Sequence, residues 1–288
     1  MTEGKKKRIL VTVAIILAVM ALLIWMILDS TVLELNTYTI ADPELPEGFD
    51  GYRIAHISDL HNAQMGKGNE KLLALLREAK PDIIAFTGDM IDSRNTKTEI
   101  ALQFAAEAVK IAPCYYVTGN HEARVSAYEV LKTGLEELGV ILLEDASAAL
   151  ERSGDKLFLL GVNDPSFQTD YLLGDSATLM QNKLELLPGE EADYRILLSH
   201  RPELFDVYAD AGLNLVLSGH AHGGQFRLPF LGGLVAPNQG LFPQYDSGLY
   251  TENGTHMLVS RGIGNSIIPF RLNNRPEVIL IELQCENE

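Results

Sequence analysis

The sequence contains very little cysteine and a shortage of basic residues. Only 2 of its 288 residues are Cys, so a fold held together by a disulfide framework is excluded. Lys and Arg number 23 against 39 Asp and Glu, a formal net charge of -16. Nucleic-acid binders neutralise phosphates with a positive surface, so we expect no nucleic-acid partner. A hydrophobic content of 47% indicates instead a globular protein with a sizeable core.

One long apolar run lies near the N-terminus. Residues 9–28 contain one polar side chain, Thr12, and a helix of this length, at about 1.5 Å per residue, crosses a hydrocarbon core of about 30 Å. Basic residues from Lys5 to Arg8 precede the run and acidic residues follow it. By the positive-inside rule, we expect residues 1–8 to be a cytoplasmic stub, residues 9–28 a transmembrane anchor, and the rest of the chain to lie outside the cytoplasm.

A cleaved signal peptide is the alternative interpretation of this run. The apolar region of a signal peptide is normally shorter and ends at a small-residue cleavage site, and no such site follows Leu28. We therefore predict a single-pass protein of the cell membrane, which contacts the membrane through its N-terminal helix.

After the anchor, the sequence predicts a tether over residues 29–50 and one domain over residues 51–288. Short apolar segments alternate with segments of helical periodicity, which favours an α/β fold whose sheets are covered by helices. A Gly- and Pro-rich stretch, 219–248, is long enough to indicate a functional loop. The predicted strands are 52–57, 83–86, 115–117, 157–162, 196–198, 213–217, 257–260 and 278–283, and the predicted helices are 69–79, 99–109, 127–138 and 203–209.

Polar residues follow five of the predicted strands at the point where each strand ends. In open α/β sheets, ligands bind outside the carboxyl ends of the strands, so these side chains are expected to meet at one edge. A lone His at a strand end is more often a hydrogen-bonded structural residue, whereas five His together with carboxylates indicate a site. The segments are Ser58-Asp59-Leu60-His61, Thr87-Gly88-Asp89, Thr118-Gly119-Asn120-His121-Glu122, Ser199-His200 and Ser218-Gly219-His220-Ala221-His222.

The side chains in these segments are typical metal ligands. Histidine and carboxylate without cysteine suit a divalent cation such as Mn, Fe or Zn better than a closed thiolate zinc site. Asp59 and His61 are two residues apart, as are His220 and His222, so in extended chain each pair can point to one side and hold one ion. A carboxylate shared by two ions would give a two-metal catalytic site.

In order, these segments resemble the signature of the calcineurin-like metallophosphoesterase superfamily: D-x-H, G-D, G-N-H-[ED], a lone H and G-H-x-H. All five blocks are present between residues 52 and 283. The stretch from Gly219 to Pro229, with 260–264 and 275–277, is further similar to bacterial membrane-anchored phosphodiesterases of the YaeI/YkuE type. The resemblance implies a four-layer α-β-β-α sandwich with its site at one edge, preceded here by one transmembrane helix.

The resemblance also implies two divalent metal ions, seven ligands and a general acid. The reaction would be hydrolysis of a phosphate ester by a hydroxide shared between the two ions. The substrate of such a phosphodiesterase or pyrophosphatase would be a phosphorylated small molecule or lipid, membrane-adjacent or lipid-linked. One ion would be held by Asp59, His61, Asp89 and His222, the other by Asp89, Asn120, His200 and His220, and His121 would be the general acid.

Three other functions stay open at this point, and the sequence does not fix the oligomeric state. A UDP-2,3-diacylglucosamine-type hydrolase of lipid A synthesis needs a cytosolic nucleotide substrate, which the predicted topology disfavours. A catalytically idle metal-binding surface module would be expected to have lost a ligand or His121, and none is lost. A metallohydrolase of a non-phosphorus bond would share the metal chemistry but not the order of the motifs.

Residues outside the signature carry weaker expectations. Arg124, Arg227 and Arg261 could clamp phosphate, although each is also explained as an arginine that braces the surface. Asp92 could orient a ligand or cap the helix that follows it. The apolar side chains of the 219–248 loop, from Phe226 to Leu234, could contact lipid, but packing against the domain is favoured.

Overall fold

Two six-stranded sheets lie face to face in the computed structural model, which describes residues 2–168, 175–187, 194–265 and 268–286. The helices are α1 (Glu3–Thr31), α2 (Glu70–Ala79), α3 (Thr98–Ala108), α4 (Tyr128–Glu137), α5 (Ser176–Leu186) and α6 (Phe205–Asp210). The strands are β1 (Glu34–Asp42), β2 (Arg53–Ile57), β3 (Ile83–Thr87), β4 (Cys114–Val117), β5 (Ile141–Leu142), β6 (Ala146–Arg152), β7 (Asp155–Gly161), β8 (Arg195–Leu198), β9 (Leu215–Ser218), β10 (Arg227–Leu228), β11 (Gly232–Gly233), β12 (Val235–Ala236), β13 (Gly240–Leu241), β14 (Gly248–Glu252), β15 (Thr255–Val259) and β16 (Glu277–Cys285).

Both sheets are largely parallel. The first has the order β1-β16-β2-β3-β4-β5 and is parallel except between β16 and β2. The second has the order β14-β15-β9-β8-β7-β6, with antiparallel pairs only at its two edges. Parallel strands bring their carboxyl ends to the same edge, which is where the polar segments follow them. Every predicted strand and helix is present, with ends shifted by at most two residues.

Alternate residues of the central strands face different layers. In β3, Ile83 and Ala85 join the core between the two sheets, whereas Ile84 and Phe86 pack against helices α2, α3 and α4. In β9, Leu215 and Leu217 likewise face the other sheet, and Val216 packs towards α5 and α6. Since both faces of each strand are buried, the strands read as continuous apolar runs. The predicted four-layer α-β-β-α sandwich is confirmed.

The predicted tether over residues 29–50 is wrong for much of its length, because β1 lies within it. β1 pairs in parallel with β16 along nine residues and forms one edge of the first sheet. Its side chain Ile40 is buried in the core between the sheets. Polar residues such as Thr37 and Thr39 interrupt the apolar pattern of this edge strand, which is why the sequence suggested a linker. The folded domain therefore begins before residue 51.

Helix α1 leads directly into this edge strand. It is long and apolar enough to cross a membrane, and the predicted anchor over residues 9–28 lies within it. Its last turn is bonded to the domain: Asp29 accepts a hydrogen bond from the backbone N–H of Asn273 and lies 3.2 Å from Arg275 Nε, and Ser30 Oγ accepts from the backbone N–H of Arg271 at 3.0 Å. The candidate membrane helix is thus fixed to the domain at its C-terminal end.

Replacing Ile40 with Ala is a direct test of the edge strand. A buried aliphatic side chain costs about 2–5 kcal/mol of unfolding free energy when cut to Ala, whereas the same change in a solvated tether costs almost nothing. We expect Ile40→Ala to lower the free energy of unfolding by about 2–5 kcal/mol, measured by urea unfolding of the full chain in detergent. Thr39→Ala, at the exposed neighbouring position, should change stability by less than about 0.5 kcal/mol.

Candidate metal centre

The predicted site residues lie together at the carboxyl ends of β2, β3, β4, β8 and β9. Five of the seven predicted ligands have left-handed backbone conformations, with φ between 44° and 65°: Asp59, His61, Asp89, His220 and His222. Non-glycine residues adopt this conformation uncommonly, and the backbone strain that it causes is typical of functional sites. Sharp turns, rather than the extended chain assumed from the sequence, therefore direct these side chains.

The turns divide the ligands differently from the simple pairing by sequence. The expectation that His220 and His222 share an ion is wrong, because they lie in different clusters. Asp59, His61 and His222 form the first cluster, and Asp89, His200 and His220 form the second; within each, the ligand atoms lie within 4.8 Å of one another. This division agrees with the ligand sets that the resemblance implies.

Three possible metal-ligand atoms converge in the first cluster. His222 Nε2 lies 3.3 Å from Asp59 Oδ1, and His61 Nε2 lies 3.7 Å from the same oxygen. The two imidazole Nε2 atoms are 3.2 Å apart. At least one of two such nitrogens must present a lone pair to the other, so the cluster has acceptor atoms pointed at a common space.

The second cluster is built in the same way. His220 Nδ1 lies 3.1 Å from His200 Nε2, which in turn lies 3.3 Å from Asp89 Oδ2. The amide group of Asn120 adds a terminal atom 2.9 Å from His220 Nδ1. An amide oxygen at this position is within reach of the second cluster, and amide oxygen is one of the atoms that bind divalent metal ions.

Asp89 lies between the two clusters. Its Oδ2 is 3.4 Å from His61 Nε2 on one side and 3.3 Å from His200 Nε2 on the other. Its Oδ1 accepts a hydrogen bond of 2.8 Å from the backbone N–H of His121. One carboxylate oxygen at the junction of two ligand clusters is the arrangement expected of a residue that bridges two metal ions.

Buried polar atoms in the first cluster fit a bound cation. Among the described residues, Asp59 Oδ1 accepts no hydrogen bond although its side chain is fully buried. A buried carboxylate oxygen is costly unless it is paired with a donor or a metal. Asp59 Oδ2, by contrast, accepts from Ser58 Oγ at 2.6 Å and from the backbone N–H of His220 at 3.0 Å, which leaves Oδ1 directed at the cluster. These residues fit a divalent metal ion.

Two glycines allow the loops to approach this closely. A Cβ at Gly219 would lie 1.8 Å from Ser58 Oγ and 2.4 Å from Asp59 Oδ2. A Cβ at Gly119 would lie 2.2 Å from Asp89 Oδ1. Any side chain at either position would displace a predicted metal ligand, which explains the glycine in the G-H-x-H and G-N-H segments.

Protonation of the site follows from its charges. Although burial opposes ionisation, the imidazoles of His200 and His61 hold the pKa of Asp89 well below its ordinary value. Burial likewise opposes a charge on His200, but the Asp89 carboxylate raises the pKa of this imidazole to about 10. His200 Nδ1 donates to the backbone oxygen of Thr87 at 2.7 Å, so Nε2 is the atom directed at the cluster.

Glu122 holds the two central loops together, a role that its place in the G-N-H-[ED] segment did not reveal. Its carboxylate is buried and accepts backbone hydrogen bonds from Asp89 at 2.9 Å, Gly119 at 2.8 Å and Ile91 at 3.2 Å. Burial and the neighbouring Asp89 raise the pKa of Glu122 to about 7. One side chain therefore fixes the backbone on both sides of the bridging aspartate.

His121 lies beside the first cluster, with its ring 4.5 Å from that of His61. Its Nδ1 accepts a hydrogen bond of 3.0 Å from the backbone N–H of Ser93, so the proton of the neutral ring is on Nε2. Burial lowers the pKa of His121 to about 4. The neutral ring is thus the stable form here.

A cavity of about 400 Å³ opens onto the clusters. It is lined by Asp89, Asn120, His121, His220 and His222 and by three arginines, Arg94, Arg124 and Arg201. A phosphate anion entering this space meets guanidinium groups at the wall and the two clusters at the floor.

Only one of the three arginines expected as phosphate clamps lines this cavity. Arg124 lines the cavity. Arg227 lies 3.1 Å from Asp246, and Arg261 forms ion pairs with Glu34 and Glu277, so these two arginines brace the loops.

Asp92 does not cap the helix that follows it. It pairs with Arg94, and its Oδ1 lies 3.6 Å from His121 Nδ1.

Three residues next to the site were missed in the sequence. Arg201, directly after His200, is buried, is bonded to both carboxylate oxygens of Asp164 and lies 3.3 Å from His220 Nε2. Asn238 Nδ2, from the predicted functional loop, lies 3.1 Å from the same nitrogen. Position beside a predicted ligand was the available signal for Arg201, but no spacing pattern points to Asp164.

The fold and the site define a metal-dependent hydrolase. The model of the family described as calcineurin-like phosphoesterase matches residues 52–224, more than half of the chain. The protein therefore belongs to the calcineurin-like phosphoesterase family, and is a hydrolase of phosphoric esters.

Relatives share most of the length of the chain. It is 31% identical over 268 residues to the uncharacterized metallophosphoesterase YkuE of Bacillus subtilis, covering 90% of this chain and 88% of that protein. It is 28% identical to the phosphodiesterase YaeI of Escherichia coli, covering 81% and 82%. A transmembrane protein with a metallophosphoesterase domain from Danio rerio is 27% identical over 84% of this chain and 55% of its own.

A solved structure shares the fold. The crystal structure of the Thermus thermophilus protein TT1561 superimposes with a TM-score of 0.50 at 15% identity, covering 74% of this chain and 90% of the other. At this identity the likeness concerns the fold alone.

Glu122→Ala tests whether the Glu122 carboxylate holds the loops of Asp89 and Gly119 in place. The change leaves three buried backbone N–H groups without an acceptor, at about 1–3 kcal/mol each, and frees the Asp89 loop. We expect a variant that retains less metal than the wild type when both are loaded, desalted and analysed by mass spectrometry. Glu137→Ala, on the exposed face of α4, is the matched control and should retain the wild-type amount.

Proposed function

We propose that the protein is a phosphodiesterase or pyrophosphatase with two divalent metal ions, acting at the membrane. The observation that carries the proposal is the position of Asp89 Oδ2, 3.4 Å from His61 Nε2 and 3.3 Å from His200 Nε2. A buried carboxylate between two convergent ligand clusters has few structural explanations. The phosphodiesterase name of the Escherichia coli relative supports a diester as the substrate.

Seven residues would hold the metal ions. When bound, two cations supply positive charge for the phosphate and make a water molecule acidic enough to ionise near neutral pH. Mn, Fe or Zn suits the mixture of imidazole, carboxylate and amide donors. The ligands of one ion are Asp59, His61, Asp89 and His222, and those of the other are Asp89, Asn120, His200 and His220.

The remaining residues of the cavity would bind and orient the substrate. Arg94 and Arg124 line its wall, so their guanidinium groups can bind phosphate oxygens. His121 presents Nε2–H, because the backbone N–H of Ser93 occupies its Nδ1. A leaving alkoxide is basic enough to take a proton from this atom, which would give His121 the role of general acid.

The substrate is proposed to be a phosphorylated small molecule or lipid close to the membrane surface. Helix α1 has the length and hydropathy of a membrane span, and its C-terminal end is bonded to the domain. The basic residues from Lys5 to Arg8 favour a cytoplasmic N-terminus and an extracytoplasmic catalytic domain. A lipid-linked phosphate would be concentrated in front of a domain held in this way.

Asp89→Asn should abolish metal-dependent turnover. An amide cannot supply the negative charge that a bridging position requires, so hydrolysis of bis-p-nitrophenyl phosphate by the full chain with Mn²⁺, Fe²⁺ or Zn²⁺ should fall to background. Asp210→Asn, an exposed change at the end of α6, is the control and should leave the rate unchanged. Wild-type turnover in Asp89→Asn, or none in a wild type shown to bind metal, would contradict the proposal.

His121→Ala should affect substrates according to their leaving group. General acid catalysis contributes about 10²–10⁴-fold where the leaving oxygen needs a proton, and little for nitrophenolate. We expect a far larger loss of kcat/KM on an alkyl phosphodiester than on bis-p-nitrophenyl phosphate. His256→Ala, in β15, should change neither rate. Equal losses on both substrates would remove the acid role from His121 and leave it as a positioning residue.

A further inference from the structure

Apolar side chains are exposed along one rim of the protein, next to the metal cavity. Phe230 is fully exposed, and Leu241 is 70% exposed. The expectation that this part of the 219–248 loop packs against the domain is therefore wrong for Phe230 and Leu231. The residues that we call the apolar rim are Phe230, Leu231, Leu241, Phe242 and Phe270.

The backbone holds two of these aromatic residues in an unfavourable conformation. Phe230, between β10 and β11, has φ of 68°, and Phe242, directly after β13, has φ of 54°. Bulky residues rarely adopt left-handed conformations. Since neither side chain is buried in the domain, packing within the domain does not compensate for the strained backbone. Burial of the two rings in an external apolar phase would compensate for it.

Hydrogen bonds connect the rim to the end of α1 in a few steps. Asn273, whose backbone N–H donates to Asp29 of α1, donates through Nδ2 to the backbone oxygen of Arg227 in β10. The backbone N–H of Arg227 also donates to Leu272 at 2.9 Å. Phe230 is three residues beyond Arg227, a span of at most about 10 Å.

The same helix end marks the level of the membrane surface. The apolar run of α1 ends at Leu28, immediately before Asp29, and Trp25 Nε1 donates to Asp29 Oδ2 at 3.1 Å. Tryptophan is typical of the region where acyl chains meet headgroups. The rim therefore lies beside the segment of chain that leaves the bilayer.

The loop that carries the rim also forms a wall of the metal cavity. Pro237 and Asn238, between β12 and β13, line that cavity, and the Leu241 and Phe242 of the rim follow within five residues. A backbone hydrogen bond of 2.9 Å from Phe242 to Leu234 holds this part of the loop against the preceding hairpin. Any surface that the rim contacts is consequently close to the mouth of the cavity.

We infer that the apolar rim inserts into the interface of the lipid bilayer from which α1 emerges, so that the metal cavity opens at the level of the headgroups. A formal net charge of -16 gives no electrostatic attraction to anionic lipids, so the contact is apolar, as in interfacial proteins that bury aromatic and leucine side chains in the membrane. The inference depends on α1 crossing a bilayer and is independent of the phosphoesterase reaction.

Fluorescence quenching by brominated lipids tests the insertion. Trp25 is the only tryptophan, so the double variant Trp25→Phe, Phe230→Trp reports from the rim alone. The full chain is reconstituted in phosphatidylcholine vesicles with or without bromine on the acyl chains. We expect the emission of the tryptophan at position 230 to be quenched at least about twofold by brominated lipid and to be protected from acrylamide. Trp25→Phe, Phe242→Trp is a second probe with the same expectation.

Leu186 supplies the matched control. It is 85% exposed at the C-terminal end of α5. The neighbouring Glu185 and Leu187 line a separate cavity with Arg195 at the start of β8, the end of that strand opposite to His200. Trp25→Phe, Leu186→Trp should therefore be quenched by acrylamide and not by brominated lipid. Water-exposed emission at positions 230 and 242, or equal lipid quenching at position 186, would overturn the inference. So would wild-type Trp25 that is insensitive to brominated lipid, since α1 would then lie outside the bilayer. None of these measurements uses turnover.

Discussion

The buried carboxylate of Asp89 is the constraint on which the rest of the site depends. A desolvated charge is tolerable only with compensating partners, and here they come from both sheets: His61 follows a strand of the first sheet and His200 a strand of the second. The two sheets must therefore pack at one particular offset for the charge to be satisfied. Glu122 adds to this by holding the backbone of Asp89 and Gly119 through buried hydrogen bonds.

Much of the fold and the site was predictable because parallel strands buried on both faces leave a strong signal. Their apolar runs stop abruptly at the edge of the sheet, so the polar residue that follows each run is conspicuous in the sequence. That is how Asp59, Asp89, Asn120 and the five histidines could be identified together. The same reasoning does not apply to β1, β6 and β14, edge strands in which at most two residues are buried.

The details that the sequence did not predict depend on local backbone conformation. The division of His220 and His222 between two clusters requires left-handed turns at both residues, and spacing alone cannot distinguish such turns from extended chain. The tautomer of His121 depends on a backbone N–H of Ser93, 28 residues earlier in the chain, and its neutral form depends on burial. The exposure of Phe230 likewise could not be foreseen, since an apolar residue in a loop normally packs inward.

The join between α1 and the domain has a consequence for how the protein searches its surroundings. Only Val32 and Leu33 separate α1 from β1, and the backbone N–H of Glu34 already donates to Pro276 of the domain. A globular body joined this tightly to a helix has little freedom to tilt or swivel, so in a bilayer the mouth of the cavity would travel at one height and in one attitude. Encounters with molecules in the same leaflet then become lateral diffusion in a plane, and their frequency follows the surface density of the target rather than its concentration in solution.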